Sequence, residues 1–156
     1  MDTKLILFSS YELILSIVFG LITICIVDKM LEKFFFKEKI STYLIRGNKS
    51  VALFCGVITI CILLMVQSSI LPSVSALQSM VMNSSEFTFK IVLMALAYFS
   101  IFYVIALTVS LFVFYSSFKI YTTITAKIDE ILELKNDNIA CAIIVSLTML
   151  GLSLII

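Results

Sequence analysis

The sequence predicts an all-α integral membrane protein with four transmembrane helices, arranged as two parallel two-helix repeats with helices extending into the cytoplasm. Of its 156 residues, 62% are hydrophobic, and the mean hydropathy is +1.18. A soluble domain of this length cannot bury so much apolar surface, because a small domain has a large surface for its volume. Four long apolar runs, with basic residues clustered between them, indicate a single membrane domain over residues 1–156.

The four apolar runs have the length of membrane spans. A bilayer core of about 30 Å requires about 20 helical residues. The first run has no cleavage pattern before the charged stretch that follows it, so we expect a retained span rather than a signal peptide. The predicted spans are residues 5–27, 51–71, 91–117 and 139–156.

Nine of the 11 Lys and Arg residues lie in two connections, residues 28–50 and 118–138. Short cationic loops stay in the cytoplasm, so both chain termini are expected to face outside the cytoplasm. The first connection has six cations and three acids, which suits anionic lipid, whereas the second has three cations and four acids, which suits a protein partner. The six cations expected to face lipid are Lys29, Lys33, Lys37, Lys39, Arg46 and Lys49.

Both connections keep a helical rhythm of apolar residues. In the second connection the stripe recurs every three or four positions, which predicts that the third span continues as one helix to about residue 135. Its members are Ile120, Ile124, Ile128, Ile131 and Leu134.

The outer connection, 72–90, shows helix-boundary signals. Pro72 is expected to close the second span, and a short helix is expected after it. Asn83, followed by Glu86, is typical of the N-cap that starts a helix, here the third span.

With an offset of 90 residues the chain aligns on itself, residues 5–66 with 95–156, which predicts two repeats over residues 5–71 and 91–156. Two features of the first half have counterparts in the second: an Asn followed by an Ala where a span starts, and a pair of small residues four positions apart. Small residues let helix backbones approach closely within lipid. The helix-start residues are Asn48, Ala52, Asn138 and Ala142, and the residues expected to pack helices are Ser16, Gly20, Gly56, Ala106, Ser110 and Ser146.

The segment 129–142 is an acidic helical lead-in followed by Asn138, Ala140 and Ala142 at the start of an apolar span. It resembles the signature of the bacterial membrane family called domain of unknown function 350. Residues 45–52 carry a degraded form with Ser50 in place of the first Ala. The resemblance implies two tandem copies of a two-span unit and a bacterial inner-membrane location, without a settled activity.

Two interpretations of Asn48 and Asn138 stay open at the sequence level. Each is a favoured N-cap whose side chain accepts from a backbone amide at the helix start. Alternatively, two adjacent helix N-termini attract an anion or a headgroup phosphate. Arg46 and Lys49 favour an anion at the first site, whereas Asp137 opposes one at the second.

Glu12 lies in the outer third of the first span, where an unpaired carboxylate is costly. It either lies at the membrane interface or contributes to a polar vestibule with Gln67 and Ser68 at the outer end of the second span.

Several kinds of chemistry are not predicted. The chain has no His, and its four Cys lie in apolar runs without a Cys-x-x-Cys pair, so no metal site and no cofactor are expected. No nucleophile with a base and no Gly-rich phosphate loop is present, so an enzyme is not expected. The net charge of +1 argues against a nucleic-acid partner.

The predicted function is a homo-oligomeric, ion-channel-like pore in contact with membrane lipids. The alternative is a membrane interaction subunit or effector that docks a soluble cytoplasmic partner of a stress or phage-defence system. A small transporter is favoured by the duplication, but not by spans that lack internal Pro and Gly breaks.

Overall fold

The computed structural model describes residues 3–68, 70–83, 89–125 and 128–155, and these are helical apart from short turns. The predicted all-α class is confirmed. The elements are α1 (Thr3–Leu31), a π-helical turn (Glu32–Phe36), α2 (Ile40–Ile45), α3 (Lys49–Gln67), α4 (Ile70–Asn83), α5 (Phe89–Ile124), α6 (Glu130–Lys135) and α7 (Ile139–Ile155).

Three helical stretches of the described residues are long and apolar enough to cross a membrane: Ser9–Phe36, Lys49–Ser79 and Lys90–Ile124. The apolar stretch in α7, Ile139–Leu154, is shorter. Large apolar side chains lie exposed around the outside of the helices, as at Phe112, which is 70% exposed. A soluble protein rarely exposes so much contiguous apolar surface, so the helices indicate a membrane location.

Helix α3 is the centre of the fold. It packs against α7 most extensively and also against α1 and α5, while α4 lies against α5 and α1. The side chains of Val51, Phe54, Ile58 and Ile62 on α3 are fully buried. The helices therefore share one core around α3.

An aromatic cluster fills the core between α1, α3 and α5 near the start of α3. The π-helical turn brings two consecutive side chains, Phe35 and Phe36, into this core, which an α-helix disfavours because its consecutive side chains are spread farther apart around the axis, by about 100°. Ring centroids lie 4.8 Å apart for Phe35 and Phe118 and 6.2 Å apart for Phe36 and Phe54. Edge-to-face contacts of this kind stabilise a core beyond the area they bury.

The prediction of one helix from the third span to residue 135 is wrong. Helix α5 ends at Ile124, and α6 starts separately at Glu130. The Thr125 hydroxyl bonds to the Glu130 carboxylate, and Asp129 adopts an extended conformation and caps α6. Such local side-chain bonds compete with helix continuation. The 36 residues of α5 still measure about 54 Å, which exceeds a bilayer core of about 30 Å.

The outer connection also differs from its prediction. A helix is present as α4, but it starts at Ile70 and includes Pro72 in its first turn, where Pro is tolerated because that turn has unpaired N–H groups anyway. Helix α3 itself ends at Gln67, before Pro72. Asn83 is the last residue of α4 rather than the cap of the third span, and Glu86 lies outside the described residues.

Candidate functional site: two helix junctions

Two helix junctions have the same backbone structure at an offset of 90 residues. We call residues 40–52 the first junction and residues 130–142 the second junction. Helices α2 and α6 have equivalent bounds, and α3 and α7 begin at equivalent positions. Both junctions turn through a residue with positive φ, Gly47 at 76° and Asp137 at 61°.

The backbone hydrogen bonds of the two junctions are also equivalent. The N–H of Asn48 donates to the carbonyl oxygen of Tyr43, and the N–H of Asn138 donates to that of Glu133, both at 3.0 Å. Each bond closes the turn that redirects the chain from a six-residue helix into a long apolar helix. The two predicted helix-start motifs therefore occupy equivalent places.

The Asn48 side chain caps two helices at once. Its Oδ1 accepts from the N–H of Val51 at 2.7 Å, at the start of α3. Its Nδ2 donates to the carbonyl oxygens of Leu134 and Lys135, each at 3.0 Å, at the end of α6. Asn48 is only 9% exposed, so this one side chain joins the two junctions and satisfies backbone groups that both helix ends leave unpaired.

Asp137 adds a second bond between the junctions. Its Oδ1 accepts from the N–H of Ser50 at 2.8 Å, and this bond holds the pKa of the Asp137 carboxyl below its ordinary value. The carboxylate thus lies at the N-terminus of α3, where the partial positive charge of the helix favours an anion. A free anion at this helix start would compete with the protein's own carboxylate.

The Asn138 side chain makes only local contacts. Its Oδ1 accepts from the N–H of Cys141 at 3.2 Å, and its Nδ2 donates to the carboxylate of Glu133 at 2.7 Å. Asn138 is exposed, unlike Asn48. Asn138 therefore caps its helix in the same way as Asn48, but its side chain bonds only within the second junction.

Lys135 ties the second junction to the end of the π-helical turn. Its Nζ donates to the carbonyl oxygen of Phe36 at 2.9 Å, lies 3.9 Å from the Glu38 carboxylate, and sits 5.9 Å from the centre of the Tyr43 ring. The Tyr43 hydroxyl donates to the same Glu38 carboxylate at 3.0 Å. Neither Lys135 nor Glu38 stood out in the sequence, because their contact joins the two halves of the chain.

The residues predicted to pack helices fall into two groups. Ser146 and Ser110 are 1% and 2% exposed, as expected for helix contacts. Gly56 and Ser16 are exposed, and Gly20 and Ala106 are half-buried. The helix-start alanines divide in the same way, since Ala142 is fully buried and Ala52 is exposed.

A cavity of about 210 Å³ lies among α1, α3, α4 and α5. At its wall the hydroxyls of Thr23 and Tyr103 are hydrogen-bonded at 2.9 Å and buried. Of the predicted vestibule residues, Gln67 lines this cavity, whereas Glu12 and Ser68 are exposed. The Thr23–Tyr103 pair has no signature in the sequence, because its members lie 80 residues apart.

All six cations predicted to face lipid are exposed. Four of them surround an open groove with two acids, Glu32 and Glu38, and Nζ of Lys33 lies 5.8 Å from the centre of the Phe34 ring. Lys49 lies near Asp137 and contributes to its lowered pKa.

In the described part of the chain, no group of three or more Cys, Asp or Glu residues could hold a metal ion. The four cysteines are free thiols.

The second junction lies within a segment that matches a known protein family. Residues 100–156 match the family described as Domain of Unknown Function (DUF350). The predicted resemblance to this family is confirmed over these residues. The DUF350 match begins within α5 and covers α6, the second junction and α7, so it includes the Asn138 motif from which the resemblance was predicted. No curated protein and no solved structure matches this chain.

Proposed function

We propose that this protein forms a homo-oligomeric, channel-like assembly in the bacterial inner membrane, with both termini outside the cytoplasm. The observation that carries this proposal is the cavity among α1, α3, α4 and α5, whose largely apolar wall includes the polar residues Thr23, Gln67 and Tyr103. Burying hydroxyl and amide groups in lipid costs free energy unless they are paired or hydrated. A cavity of this kind supports a hydrated vestibule.

The aromatic cluster favours a path between copies over a path within one chain. Phe36 and Phe54 are fully buried, and they occupy the space between α1, α3 and α5 on the cytoplasmic side of the Thr23–Tyr103 pair. Ions that enter the vestibule would therefore cross the second half of the membrane between neighbouring chains.

Reconstitution of the purified protein tests this function. Vesicles of phosphatidylethanolamine and phosphatidylglycerol should show ion flux that depends on the protein, and native mass spectrometry should show one defined oligomer. Tyr103→Phe, which removes the hydroxyl paired with Thr23, should change the flux. Tyr98→Phe is the matched control, because Tyr98 is 49% exposed on the same helix. A monomer without conductance would overturn the proposal.

We also propose that the two junctions belong to tandem two-helix copies related by an axis along the membrane normal. An even number of spans per copy gives parallel repeats, and the shared helix bounds and capping bonds support this relation. Orientation can be tested with a membrane-impermeant maleimide on Ile45→Cys, since Ile45 is 87% exposed in α2. Labelling of this residue in intact cells would contradict a cytoplasmic location of the junctions.

A second function is favoured by the cytoplasmic end of α5 and the residues just after it. Ile120, Ile124 and Ile128 are 61%, 78% and 53% exposed, on a segment that extends past the length of a bilayer core. This apolar stripe suits a soluble protein partner. Ile124→Glu should abolish crosslinking to such a partner, whereas Leu132→Glu, at an apolar residue of α6 that is 53% exposed and lies outside the stripe, should not. Equal crosslinking by both variants would exclude the stripe as the docking surface.

A further inference from the structure

Helices α3 and α7 pack through unlike faces. On α7 the contact uses Ala142, Val145, Ser146 and Met149, which are 0% to 2% exposed, and we call these four residues the docked face. Their counterparts at an offset of 90 are Ala52, Cys55, Gly56 and Thr59 on α3, which we call the open face. The open face lines a groove beside α2, and both Ala52 and Gly56 are exposed.

The side of α3 that receives α7 is a different one. Ser50 binds Asp137 from the second junction, and Cys61 borders a small cavity together with Met149 and Ser153 of α7. Ser50 and Cys61 are 0% and 2% exposed. With the intervening positions 54 and 57 they lie on one side of the helix, since residues three or four apart share a face.

The corresponding side of α7 is free. It consists of Ala140, Ile144, Leu147 and Gly151, all of which are exposed, and we call it the free side. Within one chain, the docked face of α7 therefore meets the side of α3 that receives it. The open face of α3 and the free side of α7 are not covered by each other. Contacts between unlike surfaces, repeated from copy to copy, generate a ring where the rotation closes and an open filament where it does not.

Gly56 indicates that a helix from another molecule approaches the open face. A Cβ placed on Gly56 would meet no atom within 4 Å, so packing within the chain does not require a glycine there. Its counterpart, Ser146, is small and 1% exposed in the α3–α7 contact. A small residue at position 56 is explained if a helix packs there as α7 packs on α3.

The cytoplasmic ends of the helices give a separate indication. Asn48 bonds to the last carbonyl groups of α6, whereas its counterpart Asn138 is exposed and capped only locally. The equivalent carbonyl groups, on Leu44 and Ile45, belong to residues that are 49% and 87% exposed. Ile45 is an apolar residue outside the predicted spans, and its counterpart Lys135 lies in the contact between the halves.

We propose that the open face of one chain binds the free side of α7 from a second copy. The contact repeats the internal α3–α7 packing, with Asn138 of the second copy donating to the carbonyl groups of Leu44 and Ile45. Repeated head to tail, it forms a ring in which α3 and α7 alternate. This inference rests on the proposed homo-oligomer and tandem copies, and it specifies the surface through which the copies meet.

Gly56→Leu tests the open face. A Cβ added at Gly56 would have no neighbour within 4 Å, so a single chain has space where the side chain of Leu begins. Gly56→Leu should lower the oligomer fraction by about tenfold or more, because a leucine side chain overpacks the contact. Ala97→Leu, at an exposed small residue of α5 outside the proposed contact, is the matched control and should keep the oligomer. An unchanged oligomer for Gly56→Leu in native mass spectrometry would overturn the proposal.

Disulfide formation tests the partner of the open face. Cys61 and Met149 border the same cavity within one chain, and their counterparts are Gly151 and Thr59. Two chains are coexpressed after their four native cysteines are replaced by Ala, one with Thr59→Cys and the other with Gly151→Cys. Oxidation should join them into a mixed dimer, whereas Val104→Cys on exposed α5 should not pair with Gly151→Cys. An oligomer without the 59–151 bond would overturn this contact but keep the homo-oligomer, and a monomer would overturn both.

Discussion

The two junctions share a backbone but differ in what surrounds them. Asn48 and Asn138 each start a long apolar helix and each accept from an amide three residues later. Asn48 is buried and bonds to α6, while Asn138 is exposed and bonds to Glu133 of its own junction. The comparison teaches that the capping motif is a local property of the sequence, whereas its wider role depends on which helix lies beside it.

The residues at the turn reinforce this difference. Gly47 and Asp137 occupy the same left-handed position, where glycine is the least strained residue. The second junction accepts a non-glycine residue there, and its carboxylate reaches Ser50 of the first junction. Each junction therefore contributes one side chain to the contact between them, Asn48 from the first and Asp137 from the second.

Among the variants that test this comparison, Asn48→Ala should lower the free energy of unfolding most. It removes the cap of α3 and leaves two carbonyl groups of α6 without their buried donor, which should lower the free energy of unfolding by about 2–4 kcal/mol. Thermal unfolding in detergent measures the loss. A decrease no larger than that of Asn138→Ala would show that the bonds between the junctions contribute little.

Gly47→Ala should have the next largest effect. The substitution forces a Cβ into a left-handed conformation and should lower the free energy of unfolding by about 1 kcal/mol. Gly151→Ala is the matched control, because Gly151 lies within α7 with nothing within 4 Å of an added Cβ. If both variants lost equal stability, the positive φ of Gly47 would not be the cause.

Asn138→Ala should have a smaller effect on a single chain. Only the local cap is lost, which should lower the free energy of unfolding by about 0.5–1 kcal/mol. The proposed ring sharpens this prediction, since an Asn138 that bonds to a second copy should matter more in the oligomer. Comparing the unfolding temperature of separated monomers and of oligomers measures that difference, and equal losses in both would argue against a role between copies.

Asp137→Asn should have the smallest effect on stability at neutral pH. It should, however, clearly change how stability depends on pH. The pKa of Asp137 is lower in the folded chain, so its contribution to stability is present above its ordinary pKa of about 3.9 and is lost as the pH falls through the folded value. The wild type should lose stability below about pH 4, and Asp137→Asn should lose less over the same range. Glu12→Gln, remote from the junctions, serves as the control, and identical acid profiles for all three chains would contradict the role of Asp137.

Much of this structure could be predicted from local sequence. Apolar length predicted the helical, membrane-type fold, and the Asn motifs predicted where α3 and α7 start, because an N-cap acts within one turn of its helix. The family was recognisable from the same segment. These features depend on residues that are close together in the chain.

The remaining features depend on packing between distant segments. The bond from Asn48 to Leu134 and the bond from Asp137 to Ser50 join residues 86 and 87 positions apart, and no periodic pattern contains them. The break after Ile124 was missed because the isoleucine stripe continues through it, while the capping bonds of Thr125 and Asp129 interrupt the helix. The hydrogen bond between Thr23 and Tyr103 was missed for the same reason, since its members lie 80 residues apart.

The bond between Asn48 and Leu134 also constrains how the protein is made. Their separation of 86 residues means that the ribosome has delivered α1, α2 and α3 to the membrane before it translates the residues that complete the start of α3. The first half therefore lacks these bonds at the start of α3 until α6 and Asp137 have been synthesised. The bonds that stabilise the start of α3 therefore form only after most of the last third of the chain has been synthesised.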